Sequence, residues 1–315
     1  MSRGWIIVLF IAAVLFSFFF GILLTIFAIG FAQPSGLTPW ARQIVVIRVE
    51  GVISASGAGD GFFSGGTSPE PVIDQLRRAD QDNKVKAVIV RINSPGGTPA
   101  ASEEMFKEIR RTKKPVIASV GDIAASGAYL LASGTDQIVS SPSSEVGSIG
   151  VIQVIPNLEE LYRKLGVDYQ VISQGKFKDM FSGSRALTEE EQNLLSKDAK
   201  IIYEQFIETV ATGRSISAQK VRKLATGQTF PGSVALKLGL VDELGNYQDA
   251  IDLAAKLGKI DGEPELIEYG APTFFGFLQK ALQGKAIDLR DILLPEDLSR
   301  LPNLLAKPKL LFYPE

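Results

Sequence analysis

Neither cysteine nor histidine occurs anywhere in the 315 residues. Without cysteine there is no disulfide framework, no thiol nucleophile and no thiol for a lipid anchor. Without histidine, the Ser-His-Asp triad, histidine metal ligation and imidazole acid-base chemistry are excluded together. A charge excess is missing as well. The 33 Lys and Arg against 35 Asp and Glu leave a net charge of -2, which gives no basis for a nucleic-acid surface. No internal repeat is present, and no residue pattern calls for a cofactor or a metal. A hydrolase built from this chain therefore needs a base other than histidine.

What the chain does have is apolar residues, 45% of the total, enough for one large core or two modest ones. From residue 5 to 32 it runs WIIVLFIAAVLFSFFFGILLTIFAIGFA without a charge, where about 20 residues suffice to cross a bilayer. This run is too long for a signal-peptide core of about 7–15 residues, although Gly30 and Ala32 form a small-x-small step. A retained anchor is expected, with residues 1–4 in the cytosol, because Arg3 and the N-terminus are the positive groups before the span and none follows until Arg42. QPSGLTP (33–39) is a linker composition.

Beyond the linker, β-branched apolar runs alternate with amphipathic stretches. Strands are expected at 43–54, 87–93, 115–120, 137–140 and 149–155, helices at 69–79, 100–112 and 126–132, and a flexible loop with two adjacent phenylalanines at 57–66. The second half is more helical, with helices at 158–165, 188–212, 218–225 and 247–257 and a strand at 169–172. Thr188 and Glu191 have the spacing of a capping box. Alternation at this spacing argues an α/β domain of ββα units around largely parallel sheets. The tail from 264 carries apolar clusters separated by Pro, Gly and charge, suited to closing its own core, packing on a neighbouring subunit or lying on a membrane surface.

Three stretches carry chemistry. RINSPGGT (91–98) ends a strand in two glycines, Gly96 and Gly97, whose N–H groups can turn toward a ligand as an oxyanion hole requires, or can serve a plain turn. GDIAASGAY (121–129) sets Ser126 among small residues ahead of a helix. A serine there is either a helix cap or a nucleophile that a substrate backbone can approach, with the Gly127 N–H as a second oxyanion donor. QGKFKDMFSGSR (174–185) places Lys176 and Lys178 beside Phe177, Met180 and Phe181. A lysine can act as the base in a Ser-Lys pair if burial brings its pKa from about 10.4 to about 7–8. The two lysines lie two apart, and spacing alone does not choose between them.

Together NSPGG (93–97), GDIAASGAY, SEVGSIGV (144–151), GKFKDMFS (175–182) and LGLVDELG (238–245) resemble the signal peptide peptidase A family in its short bacterial form. The resemblance covers about residues 45–257. It implies a ClpP/crotonase-like spiral of ββα units behind one transmembrane helix. It matches Ser126 to the nucleophile, Lys178 to the general base, and Ser148 to the serine that orients the base. Gly97 or Gly96, with Gly127, matches the oxyanion hole. The family's substrate would be an extended peptide, laid between Gly121-Asp122 and Ile149-Gly150-Val151 and small or apolar near the cut, such as a leftover signal peptide.

Residues 1–4 are then a cytoplasmic N-terminus, 5–32 the anchor, 33–43 the linker, 44–258 a peptidase domain outside the cytoplasm of a bacterial cell, and 259–315 a tail for assembly or membrane contact. By the same resemblance the chain forms a homo-oligomer in which adjacent subunits share the dyad. Its partners are then peptides and membrane lipid, with no nucleic acid, metal or cofactor. Three rival readings are a related membrane peptidase that cuts a membrane-protein partner, a non-catalytic scaffold of the same fold, and a crotonase-like acyl-CoA enzyme suggested by fold analogy alone.

Overall fold

The computed structural model describes residues 42–56 and 66–269, with Ser17, Phe20 and Gly21 standing alone before them. The rest of the expected anchor, most of the linker, nearly all of the phenylalanine loop and the tail beyond 269 lie outside the described residues. Among the described residues no helix is long and apolar enough to cross a membrane.

In chain order the first half contains β1 (Gln43–Ile53), β2 (Gly66–Thr67), α1 (Pro69–Gln81), β3 (Val85–Gly97), α2 (Pro99–Arg111), β4 (Val116–Ala125), α3 (Gly127–Ala132), β5 (Gln137–Ser140) and β6 (Glu145–Gly147). The second half contains α4 (Glu159–Lys164), α5 (Glu189–Arg214), α6 (Ala218–Leu224), β7 (Thr229–Pro231), α7 (Gly232–Leu238), β8 (Glu243–Leu244), α8 (Tyr247–Leu257) and β9 (Glu265–Glu268). This is a mixed α/β fold.

The main sheet runs β2-β1-β3-β4-β5-β8, and every pairing along it is parallel. Its central strands are buried on both faces, which is why their sequences read as continuous apolar runs; the first five residues of β1 are all covered. On one face Ala250, Ile251 and Ala254 of α8 pack on Ile44, Val46, Ile89 and Ile117, each buried isoleucine or valine contributing about 1.5–3 kcal/mol. α1 and α2 both open on proline in the first turn, where the missing N–H costs no hydrogen bond. The Thr188–Glu191 capping box is formed and opens α5.

β4 pairs with β3 along one edge and belongs to two ladders along the other. Its first half pairs with β5 through Ile117–Ser119, and its last residues, 123–125, pair with β6, which continues antiparallel into β7. Splitting the strand between two partners carries its end out of the main sheet, and Ser126 follows at that end.

Two expected strands are absent. Residues 149–155 and 169–172 adopt no regular structure. Gly147 at φ +104° and Ser148 at φ +52° turn the chain off the end of β6, and among the described residues no strand pairs with 149–155 or 169–172, without which an apolar alternation cannot form a strand. The side chains that would have packed are left outside: Ile152 is 87% and Ile172 96% exposed. Conversely, β3 runs through Asn-Ser-Pro-Gly-Gly, and β4 through Gly-Asp, past the turn residues at which the sequence pattern stops them.

Candidate active site

β4 delivers the chain into Ser126, and α3 begins at the next residue. The Ser126 N–H donates to the Gly147 carbonyl at 2.8 Å, one step beyond the β4–β6 ladder, and the Leu130 N–H donates to the Ser126 carbonyl at 2.9 Å. Between these ties the serine sits at φ +52°, ψ −125°. A non-glycine residue held there stores about 1–3 kcal/mol of strain. Its side chain accepts no bond from the first turn of α3, so the cap role left open by the sequence is not taken up. A strained serine between strand and helix is the arrangement that presents a hydroxyl for nucleophilic attack. Ser126 lines a cleft of about 790 Å³.

Two glycines press against this turn. A Cβ on Gly96, itself at φ +97°, would stand 2.7 Å from both the Ala125 carbonyl oxygen and the Gly127 nitrogen. A Cβ on Gly127 would stand 2.2 Å from Ser102 Oγ and 3.3 Å from the Gly97 nitrogen. The Gly96 N–H donates to Ser94 Oγ at 3.1 Å, so it is committed elsewhere. The Ile53 carbonyl takes the Thr98 N–H at 2.8 Å. Successive N–H groups of a strand face opposite edges, so that of Gly97 is directed away from β1 and toward Gly127. The cradle therefore offers the N–H groups of Gly97 and Gly127 beside the serine.

Ser148 stands on the same cleft, as do Gly150 and Val151, and α5 forms the facing wall through Ala199, Ile202 and Phe206. The Ser148 N–H donates to the Gln228 carbonyl at 2.9 Å, and its hydroxyl donates to the Gly227 carbonyl at 3.0 Å. Gly121, Asp122 and Ile149 do not line the cleft. Asp122 precedes Ser126 by four extended residues, about 13 Å of strand. With Gly121 it lines a separate cavity of about 310 Å³ beside Arg91 and Tyr247. Ile149 is fully buried. Of the expected peptide-binding residues, Gly150 and Val151 alone reach the serine's cleft.

A single chain does not bring Lys178 into the cleft. The side chain is exposed, and among the described residues its ammonium has no hydrogen-bond or ion-pair partner. Lys176, by contrast, pairs with Glu190 at 2.5 Å. The segment is fixed just beyond Lys178. Arg185 forks to Asp179 at 2.8 and 2.9 Å and to Glu191 at 2.7 and 2.8 Å. The Arg185 hydrogen bonds, joined by the Thr188 N–H, hold the Glu191 carboxyl down at about 2. Thus the lysine segment is tied to the first turn of α5, the helix whose later turns wall the cleft. Among the described residues no group of three or more acidic side chains is placed to hold a metal ion.

The sequence matches Peptidase family S49 over residues 108–261 and the Clp protease family over residues 66–146. A Synechocystis protein provisionally named a protease is 40% identical over 233 residues, 73% of this chain and 79% of that protein. An Enterococcus faecium protein, provisionally named signal peptide peptidase SppA, is 34% identical over 78% of this chain and 71% of its own length. The chain belongs to peptidase family S49. A chloroplastic serine protease SPPA of Arabidopsis thaliana is also 35% identical over 76% of this chain, which spans 36% of that longer protein.

The S49 chain is a serine peptidase, and the described α/β fold contains a ClpP-like domain. Two serines beside Ser126 carry no motif of their own in the sequence. Ser94 lies inside NSPGG, where the two glycines after it carry the recognisable signal. Ser102 sits on α2 among buried Ala101, Met105 and Ile109; a lone serine on an otherwise apolar helix face was the available signal.

Proposed function

We propose that this chain is a membrane-anchored serine endopeptidase that uses a Ser126–Lys178 dyad to degrade leftover signal peptides or other short apolar peptides. The observation that carries the reading is the strained Ser126 turn on an open cleft, with the Gly96–Gly97 backbone packed against Ser126 and Gly127. Ser126 Oγ attacks the peptide carbonyl carbon while its proton passes to neutral Lys178 Nζ. The Gly97 and Gly127 N–H groups take the charge that develops on the carbonyl oxygen. Collapse breaks the C–N bond, and the amine leaves with the proton from Lys178. Water then loses a proton to Lys178 and attacks the ester, releasing the acid and restoring Ser126.

Lys178 reaches Ser126 from a neighbouring copy in this account. Its exposure in the single chain favours that arrangement, as do the uncovered Ile152, Val154 and Ile172 on the same stretch, 83–96% exposed. Packing this stretch against another subunit would bury the apolar side chains and supply the desolvation a lysine base requires. The Ser148 hydroxyl then turns from the Gly227 carbonyl toward the incoming amine. The peptide lies along Gly150 and Val151, with residues near the cut facing Ile202 and Phe206. The ClpP/crotonase-like spiral holds this site, the 5–32 span holds it at a bacterial cell membrane outside the cytoplasm, and 259–315 serves assembly or membrane contact.

Labelling with a fluorophosphonate and mapping the modified peptide tests the dyad. Wild type should be modified at Ser126, Ser126→Ala should not be modified, and Lys178→Ala should react about 10²–10⁴ times more slowly. Equal labelling with and without Lys178, or a label on another serine, would overturn the assignment.

A further inference from the structure

We infer that Ser94 is a positioning residue for the oxyanion hole, its hydroxyl fixing the Gly96 peptide so that the Gly97 and Gly127 N–H groups converge. This rests on Ser126 being the nucleophile. Ser94 is fully buried, at 0% exposure, in the middle of a sheet whose registers fail on both sides of it. Toward β1, Glu50 pairs with Asn93 and Val52 with Gly96, so Gly51 alone opposes Ser94 and Pro95. Toward β4, Ile92 pairs with Val120 but Ser94 pairs with Ala124, so Asn93 alone opposes residues 121–123. A bulge of this kind leaves backbone polar groups without ladder partners, and in a buried position each needs another.

The Ser94 hydroxyl takes two of them. It donates to the Gly51 carbonyl at 2.6 Å and accepts the Gly96 N–H at 3.1 Å. Pro95, between them, has no N–H to compete. The hydroxyl thus locks the peptide entering Gly96 at the point where that glycine is wedged against the Gly127 nitrogen and the Ala125 carbonyl. Rotation of that peptide would carry the Gly97 N–H away from that of Gly127. A hole works only if both donors lie about 2.7–3.1 Å from the developing oxyanion. Ser94 sets that spacing without touching substrate, and it also removes the Gly96 N–H from the choice of donors.

The test compares Ser94→Ala and Ser94→Thr with wild type on a peptide substrate, with active sites titrated by fluorophosphonate so that rates refer to folded enzyme. Ser94→Ala should lose about 10- to 100-fold in kcat with KM within about twofold. Affinity for a peptide aldehyde, whose hemiacetal oxygen occupies the hole, should fall in parallel. Peptide binding to Ser126→Ala should be the same with and without Ser94→Ala. Ser94→Thr, which keeps the hydroxyl, should stay within about threefold of wild type in kcat, and it carries the test alone if Ser94→Ala does not fold. Unchanged aldehyde affinity in Ser94→Ala, a kcat loss matched by weaker peptide binding, or a Ser94→Thr enzyme that folds but loses activity overturns the inference. If Ser126→Ala stays active, the nucleophile assignment fails; if it is dead while Ser94→Ala behaves as wild type, this inference alone fails.

Discussion

Gly96 and Ser126 touch with no room for one more carbon between them: a Cβ on Gly96 would lie 2.8 Å from the Ser126 Cβ. The same carbon would meet backbone atoms on either side of the serine, and Gly96 already sits at φ +97°, where a side chain adds strain of about 1–3 kcal/mol. Gly96→Ala should therefore lower stability by about 1–3 kcal/mol in urea denaturation. It should also abolish peptide hydrolysis in the protein that remains folded, because relief of the clash must move Ser126 or Gly127. Full activity in a folded Gly96→Ala enzyme would remove Ser126 from the reaction centre.

Gly127 meets a different obstacle, the tip of Ser102. Gly127→Ala should cost about 1–3 kcal/mol because its Cβ would overlap Ser102 Oγ, at 2.2 Å. Ser102→Gly alone should cost about 1 kcal/mol, since Ser102 Oγ donates to the Thr98 carbonyl. Combining the two should recover roughly half or more of the Gly127→Ala loss. Strict additivity of the two melting shifts would mean that the clash lies elsewhere.

Acid should loosen the segment that carries Lys178. The Glu191 carboxyl is held at about 2 by Arg185 and Thr188, below its ordinary 4.5, so its contribution is complete above about pH 4.5 and is lost as pH falls toward 2. Asp179, also bonded to Arg185, is lowered as well and adds to the loss at the acid end. Glu191→Gln keeps an acceptor for the Thr188 N–H while removing the charge. Its melting temperature should be lower than wild type at pH 7 and should fall less between pH 4.5 and 2. Parallel curves for the two proteins would contradict the role of the Arg185 fork.

The helices and the main strands were legible in the sequence because apolar periodicity and caps are local signals. The helix from Tyr247 to Leu257 and the Thr188 capping box followed from a few residues each. Strand ends were not legible: Gly, Pro and Asn marked stops at 93 and 120, but bulges absorbed them and the strands ran on to Gly97 and Ala125. Strands at 149–155 and 169–172 failed for the opposite reason, since apolar alternation does not show whether a partner strand exists. Within the site, Ser126 and its glycines stood in recognisable motifs. The buried hydroxyls of Ser94 and Ser102 did not, because their work depends on which backbone groups the register leaves unpaired. Lys178 matched a motif, yet in one chain it stays outside the cleft.

The pairing of Ser126 with a lysine from another copy is tested most directly by mixing Ser126→Ala with Lys178→Ala, each inactive alone, under conditions that exchange subunits. In a 1:1 mixture about one quarter of the sites should combine an intact serine with an intact lysine, and peptide hydrolysis should return to about that fraction of wild type. Verified mixed assemblies with no activity would place serine and lysine in the same chain, or the base elsewhere, and would contradict the account.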